Sequence, residues 1–294
     1  PENSAEQMGA LAFKKEVEEK SGGQITVQVF PALQLGSMRE QVEAVQMGSN
    51  QMTLQPVAVL TSFVDALQVV DFPFLWPNAE KMWMVLDGEP GKMLLDTCKA
   101  KGMVGLGFWG SGFKQITTNG KEIHMPSDFS GVKMRVMPSP LLLEQYKAWG
   151  ANPVPIEYAE LYNALQQKIV DGQENPLSTI AMNKFYEVQD TIVMSNHGFL
   201  AYVCIANEKW FDKLSPENQK IIRDAEIVGH EVQRKALAAK EAAYLEEIKK
   251  SGINVIELTD ENRSAFLEAS LGIHKQFADT DKKKEILEAI NKAL

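Results

Sequence analysis

Met103 to Thr118, MVGLGFWGSGFKQITT, is the stretch on which the fold turns. Gly105, Gly107 and Gly110 literally match G-x-G-x-x-G, the glycine pattern that seats a dinucleotide pyrophosphate at a helix N-terminus. That chemistry needs a helix to start at the last glycine. Ser111 through Thr118, immediately after it, reads instead as strand, so no nucleotide cofactor is expected. The stretch is read as a strand that bends along its length, with Trp109 at the bend.

On its N-terminal side the chain alternates helix and strand. Ser4 to Lys20 reads as a helix, with Met8, Leu11, Ala12 and Phe13 on or near one face and Gly22-Gly23 as its stop. Ile25, Val27 and Val29 alternate, predicting a strand that ends at Pro31. Met38 to Met47 predicts a helix stopped by Gly48, and a strand is expected around Gln51 to Gln55. Helices are expected over 78–86 and 90–101, Pro90 suiting a first helical turn. This order argues for an open α/β sheet.

A second set of elements lies beyond. Strands are expected at Lys114 to Thr118 and Val132 to Val136, helices at 140–149, 158–168 and 176–186, and a long strand from Thr191 to Ala206. Ser215-Pro216-Glu217 is a cap followed by a first-turn proline. Ile221, Ile222, Ala225, Val228, Val232 and Ala236 then recur at helical spacing up to Gly252. The resulting helix exceeds the ~10–14 residues typical of globular proteins and is long enough to reach across two lobes. There is no internal repeat and no low-complexity linker.

The 294 residues allow one large or two modest domains. A net charge of −9 argues against a nucleic-acid binder, which needs a basic footprint. It does not argue against an anionic ligand, because the local field in a pocket outweighs the total. No apolar run reaches the ~18 residues needed to cross a bilayer, so no stable membrane insertion is expected. Translation does not begin with proline, so Pro1 is expected to follow removal of a leader or trimming. Cys98 and Cys204 read at least as well as small buried hydrophobes as they do as a bridge.

Catalytic signatures are absent. His124, His197, His230 and His274 are scattered, and His230-Glu231 lacks the second histidine of a zinc helix. Neither G-x-S-x-G nor a Walker sequence occurs. Asp171 and Glu174 could form an acid–base pair in an enzyme acting on a carboxylic acid, but nothing positions a scissile bond. No metal or other cofactor is expected.

One cation stands out. In Gly131-Val132-Lys133-Met134-Arg135-Val136, Arg135 shares a strand face with Lys133, opposite the apolar set. A guanidinium offers planar paired donors that match a carboxylate's two oxygens. Most strand arginines are solvated, so the neighbours decide. Asp171-Gly172 and Asn175-Pro176 downstream are ordinary turn signals.

Several blocks in order resemble the solute-binding proteins of TRAP transporters, the DctP type: Glu18-Glu19-Lys20-Ser21-Gly22-Gly23, Gln34-Leu35-Gly36-Ser37, Gly112-Phe113-Lys114-Gln115-Ile116-Thr117, Ser127 through Arg135, Glu160 through Pro176 (ELYNALQQKIVDGQENP), and Phe185-Tyr186-Glu187-Val188-Gln189. The likeness covers about Pro1 to Leu214. Lys114 and the run His197-Gly198-Phe199-Leu200-Ala201-Tyr202 resemble the C4-dicarboxylate branch. The resemblance implies a two-lobed α/β periplasmic-binding-protein fold, with an interlobe cleft, hinge strands and a long helix spanning both lobes. Lobe one would hold 1–111 and 200–240, lobe two 112–199 and 241–294. It implies a periplasmic monomer that captures a C4-dicarboxylate or related organic acid, or a uronate-type sugar acid, by closing its lobes and then delivers it to a membrane permease.

Within that frame Arg135 and Asn175 are expected to grip the carboxylate, and Lys114 a second carboxylate or a hydroxyl. Tyr158 would pack on the ligand, Trp109 would wall the cleft, and Gln55 would sit at the end of a lobe-one strand. Phe74 and Ser139 are weaker candidates, phenylalanine being more often core. In one respect the sequence departs from the family, whose members begin with a short strand before the segment matching Pro1-Glu2-Asn3-Ser4.

Overall fold

In the computed structural model, which describes residues 3–294, Met103–Thr118 forms one continuous strand. Its first part pairs antiparallel with Phe199–Asn207, its last part with Gly172–Pro176 on one side and Thr191–Met194 on the other. The pairing register shifts between Gly105 and Gly107 and again between Gly110 and Gly112. These bulges bend the strand as it leaves one lobe and enters the next. The glycines that imitate a nucleotide fingerprint serve packing. A Cβ on Gly107 would collide with the Glu226 carboxylate, and one on Gly110 would lie 2.9 Å from the tip of the Phe199 ring.

In chain order the elements are α1 (Ala5–Lys20), α2 (Met38–Met47), β1 (Met52–Pro56), α3 (Val57–Leu60), α4 (Ala79–Leu86), α5 (Glu89–Asp96), β2 (Met103–Thr118), β3 (Lys133–Val136), α6 (Pro140–Ala148), β4 (Asn152–Pro155), α7 (Leu161–Gln166), β5 (Gly172–Pro176), α8 (Leu177–Met182), β6 (Thr191–Met194), β7 (Phe199–Asn207), α9 (Glu208–Asp212), α10 (Pro216–Lys250), β8 (Asn254–Glu257), α11 (Asp260–Phe277) and α12 (Asp281–Ala293). In the first lobe β7 lies between β1 and β2. In the second, β2 lies between β5 and β6; β3 and β4 extend one side and β8 the other.

The expected long strand from Thr191 to Ala206 is two strands. The chain breaks at Ser195–Gly198, where Asn196 turns at φ 45°, and crosses from the second lobe back to the first. Two crossings, β2 going out and β6–β7 returning, join the lobes without a tether. The long helix α10 lies across both. It begins at Ser215, whose Oγ accepts the Asn218 amide at 3.2 Å, and runs 35 residues, roughly 50 Å at 1.5 Å per residue. Its Ile222 and Ala225 pack with Phe13 and Val17 in the first lobe, and its Ile248 packs with Leu161 and Leu165 in the second.

Four expectations are corrected. Helix α1 does not bury Met8 and Leu11, which are exposed; it buries Ala5, Gly9, Phe13 and Val17, because it packs against α10 through small residues. Ile25–Val29 alternates correctly but forms no strand, since it has no partner strand among the described residues. Side chains hold its backbone instead: Ser21 Oγ accepts the Ile25 amide at 3.1 Å, and Glu18 Oε1 accepts the Val27 amide at 2.9 Å. The Asp-Gly and Asn-Pro signals around 171–176 bracket a buried strand, β5, which is sheltered by pairing with β2 on one edge and β3 on the other. Finally, 241–294 does not pack as one body. Helix α11 rests on α6 of the second lobe, but α12 rests on α5 and the Asp65–Asp71 turn of the first. Buried Lys283 fastens it there, 2.5 Å from Asp65 and 2.9 Å from Asp279. Cys98 and Cys204 are buried and unbridged.

Candidate functional site

Between the lobes lies a cavity of about 370 Å³. Five of the eight residues singled out in the sequence line it: Gln55 and Trp109 from the first lobe, Arg135, Tyr158 and Asn175 from the second.

Arg135 is the third residue of β3, with Val154 of β4 and Gln173 of β5 as its neighbours in parallel register. Both strand edges are covered there, so Arg135 is only 1% exposed, whereas Lys133, on the same face at the strand's start, is exposed. Its Nε donates to the Ile156 carbonyl at 2.8 Å, which fixes the guanidinium plane, and its Nη2 has no partner among the described residues. No carboxylate among the described residues lies within ion-pair distance of it. Burial, only partly offset by the more distant Glu174, Tyr158 and Glu157, holds its pKa down to about 10. It stays protonated at neutral pH, a buried charge whose desolvation is only partly compensated within the protein.

Asn175 stands on β5 at the end of a line of amides. Its Nδ2 donates to Gln173 Oε1 at 2.6 Å, Gln173 Nε2 to Thr117 Oγ1 at 2.9 Å, and Thr117 Oγ1 to Gln189 Oε1 at 2.9 Å. One N–H and the carbonyl oxygen of Asn175 are left for another molecule. Gln55 has spent its donors: Nε2 donates to Gln41 Oε1 at 2.9 Å and Thr53 Oγ1 at 2.8 Å, so its oxygen is what remains. Trp109 donates its indole N–H to Glu226 at 2.8 Å and can offer a ligand only its ring face.

Lys114, Phe74 and Ser139 do not line the cavity. β5 alternates, so Glu174 points away from the face that carries Gln173 and Asn175. There Lys114 Nζ donates to Glu174 Oε1 at 2.8 Å, and Tyr146 and His197 Nε2 donate to Glu174 Oε2 at 3.0 and 2.6 Å. Burial alone would raise the Glu174 pKa, but Lys114 and His197 outweigh it and hold the carboxyl well below its usual range. Burial keeps the His197 imidazole pKa below its ordinary value, so the ring is neutral at neutral pH and its Nδ1 accepts from the Ser195 hydroxyl at 2.7 Å. Lys114 is therefore consumed by a structural ion pair, a partner no local motif announced. Phe74 turns at φ 58°, donates its amide to the His197 carbonyl at 2.7 Å, and packs its ring between Trp149 and the Arg263 guanidinium. Ser139 caps α6, its Oγ accepting the Leu142 amide at 3.4 Å. The acid–base pair also dissolves: Asp171 Oδ2 accepts the Lys133 amide at 2.8 Å, while Glu174 lies in the ion-pair network.

Sequence reasoning missed Glu6, Tyr202 and Tyr244, which line the same cavity. Glu6 sits in the first turn of α1, where acidic residues are commonplace, and it accepts a hydrogen bond from Ser111. No grouping of three or more metal-ligating side chains occurs among the described residues, and none of their helices is long and apolar enough to cross a membrane.

The family profile "Bacterial extracellular solute-binding protein, family 7" matches residues 1–281. The C4-dicarboxylate-binding periplasmic protein DctP of Rhodobacter capsulatus is 35% identical over 273 residues, 92% of this chain and 82% of that protein. Among solved structures, the sugar acid binding protein DctPAm of Advenella mimigardefordensis strain DPN7T, in complex with galactonate, is 35% identical at TM-score 0.93 and covers 99% of this chain and 95% of its own. A TRAP periplasmic solute binding protein of Sulfurospirillum deleyianum, with bound succinate, is 35% identical at TM-score 0.92 and covers 100% and 96%. These relatives are transporter binding proteins rather than enzymes. With the two-lobed fold and its central cavity in place, the chain belongs to the DctP-type family 7 of bacterial extracellular solute-binding proteins.

Proposed function

We propose that this protein captures a small organic acid in the interlobe cavity outside the cytoplasmic membrane, in the periplasm, and presents it to the permease of a TRAP transporter. One observation carries the reading: Arg135 is a buried, protonated guanidinium on the cavity wall, its plane fixed by Ile156 and its Nη2 unpartnered. A carboxylate bound there would supply the missing counter-charge through paired, charge-assisted hydrogen bonds. Asn175 would add a neutral donor, and the Tyr158 and Trp109 rings would flank the ligand. Relatives support the class of ligand: the Rhodobacter protein is named for C4-dicarboxylates, and the Advenella and Sulfurospirillum structures hold galactonate and succinate.

Gln55 and Trp109 stand on one lobe and Arg135 and Asn175 on the other, so a bound acid bridges them. Closure occurs if the acid binds the closed form better than the open one, since only differential affinity shifts the equilibrium. The moving bodies would be 1–111 with 200–240, joined by α12, against 112–199 with the rest of the C-terminal segment. Native mass spectrometry of the purified protein would detect a retained acid. Titration calorimetry would then compare that acid with its primary amide. The amide, matched in shape but uncharged, is expected to bind at least about a hundredfold more weakly, given about 1.5–3 kcal/mol for each hydrogen bond to a charged group. Equal binding of acid and amide would sink the reading.

A further inference from the structure

Resting on that reading, we infer that the captured acid is a monocarboxylate whose body carries hydrogen-bond donors, and that Glu6 is the residue that selects against a second carboxylate. Among the described residues lining the cavity, Arg135 is the single cation and Glu6 the single acid. Lys114, the one further cation the sequence offered for a second carboxylate, is buried against Glu174 on the other side of β5 and already paired. A dicarboxylate seated on Arg135 would therefore find no counter-charge for its other end among the described residues.

The first-lobe wall of the hollow carries a charged acceptor. Glu6 projects from α1, in the first lobe, into the same hollow as Arg135. Its charge reaches three tyrosines on that hollow. Burial first, and Glu6 second, push up the Tyr202 and Tyr244 phenols. Tyr158 is raised by burial, lowered by a hydrogen bond with Asn183 and by Arg135, and raised again by Glu6. Gln55 adds a second acceptor, because both its amide hydrogens are already donated. The Trp109 N–H that could have answered an anion is held by Glu226. Arg135 on the second lobe thus attracts a carboxylate, while Glu6 on the first attracts hydroxyl or ammonium groups and repels a carboxylate.

The test is a calorimetric titration of the intact chain, at one ionic strength, against three kinds of probe: hydroxylated monocarboxylates (glycerate, threonate, galactonate), an amino monocarboxylate (γ-aminobutyrate), and dicarboxylates (succinate, malate). The best monocarboxylate, hydroxylated or amino, is expected to bind at least about tenfold more tightly than either dicarboxylate. Glu6→Gln keeps the shape and removes the charge, and is expected to tighten succinate binding by about fivefold or more while weakening the preferred monocarboxylate, like charges near one site opposing each other on this scale. A dicarboxylate that outbinds every monocarboxylate overturns the inference and leaves the capture of an acid standing. An unchanged dicarboxylate-to-monocarboxylate ratio in Glu6→Gln overturns the role of Glu6. Failure of every acid to bind removes the capture reading and the inference together.

Discussion

Replacing Arg135 with methionine separates a ligand-binding arginine from a structural one. Methionine keeps much of the apolar stem and loses the charge. In the free protein the guanidinium is buried with no carboxylate among the described residues in ion-pair reach, and its pKa falls from the ordinary arginine value to about 10. That difference corresponds to about 3 kcal/mol by which the folded state disfavours the charged form. The cost is present in full below pH 10, where the folded protein still holds the proton, and is relieved as the pH rises above it toward the ordinary arginine value. Against it stands one hydrogen bond from Nε to Ile156, worth about 1–1.5 kcal/mol net. Arg135→Met should therefore leave the free protein as stable as the parent, or more stable by about 1–2 kcal/mol. Ligand binding should suffer the opposite fate. Two charge-assisted hydrogen bonds at about 1.5–3 kcal/mol each imply a loss in affinity of more than about a hundredfold. Differential scanning calorimetry with and without the acid reads both quantities, since a ligand that binds only the folded state raises its melting temperature by mass action. A variant that melts well below the parent yet keeps the ligand-induced rise would make Arg135 a structural residue and remove it from the binding site.

Glu174→Gln leaves Lys114 buried beside a neutral amide, and urea denaturation should show a loss of about 3–5 kcal/mol. Pairing it with Lys114→Met should recover part of that loss, and an acid ligand should still bind the double variant because neither residue reaches the cavity. Asp71 is buried with Oδ2 unpartnered, and burial, despite Lys114, raises its pKa to about 6. Its destabilising effect is absent below the ordinary 3.8, grows between there and 6, and is complete above 6, so Asp71→Asn should stabilise the fold by up to about 3 kcal/mol at pH 7.5 and by nothing near pH 4, as read from paired urea titrations. Glu174 acts in the opposite sense: its stabilisation is complete above the ordinary 4.5 and is lost as the pH falls, so on these two groups the parent should be most stable between about pH 3.8 and 4.5 and lose stability as the pH rises from there to 6. Gly9→Ala would place a Cβ 2.6 Å from the Gly229 carbonyl and against the Trp109 ring; a loss of about 1–3 kcal/mol in chemical denaturation, with altered Trp109 fluorescence, is expected.

Local signals located most of the elements. The Ser215 cap, the first-turn Pro216 and the helical spacing beyond them are written into consecutive residues, and α10 forms where they predict. The Ser37 cap and Gly48 bracket α2 in the same way. Strands whose identity depends on their neighbours were harder to read. β5 carries turn dipeptides at both ends and became a strand because β2 and β3 cover both its edges. Ile25–Val29 has the right alternation and stays unpaired because alternation supplies a face and not a partner.

The cavity divides along the same line. A guanidinium's fitness for carboxylates belongs to its chemistry, and alternation along β3 assigned Arg135 to a face; such properties reside in a residue and its near neighbours, so the linear chain carries them. Whether Lys114 is free or already paired, and whether Glu6 meets Arg135 across one hollow, depends on groups 60 and more than 100 positions apart brought together by packing. Charge compensation and burial are properties of three-dimensional neighbourhoods, which is why the folded molecule alone decided which cation was left without a partner.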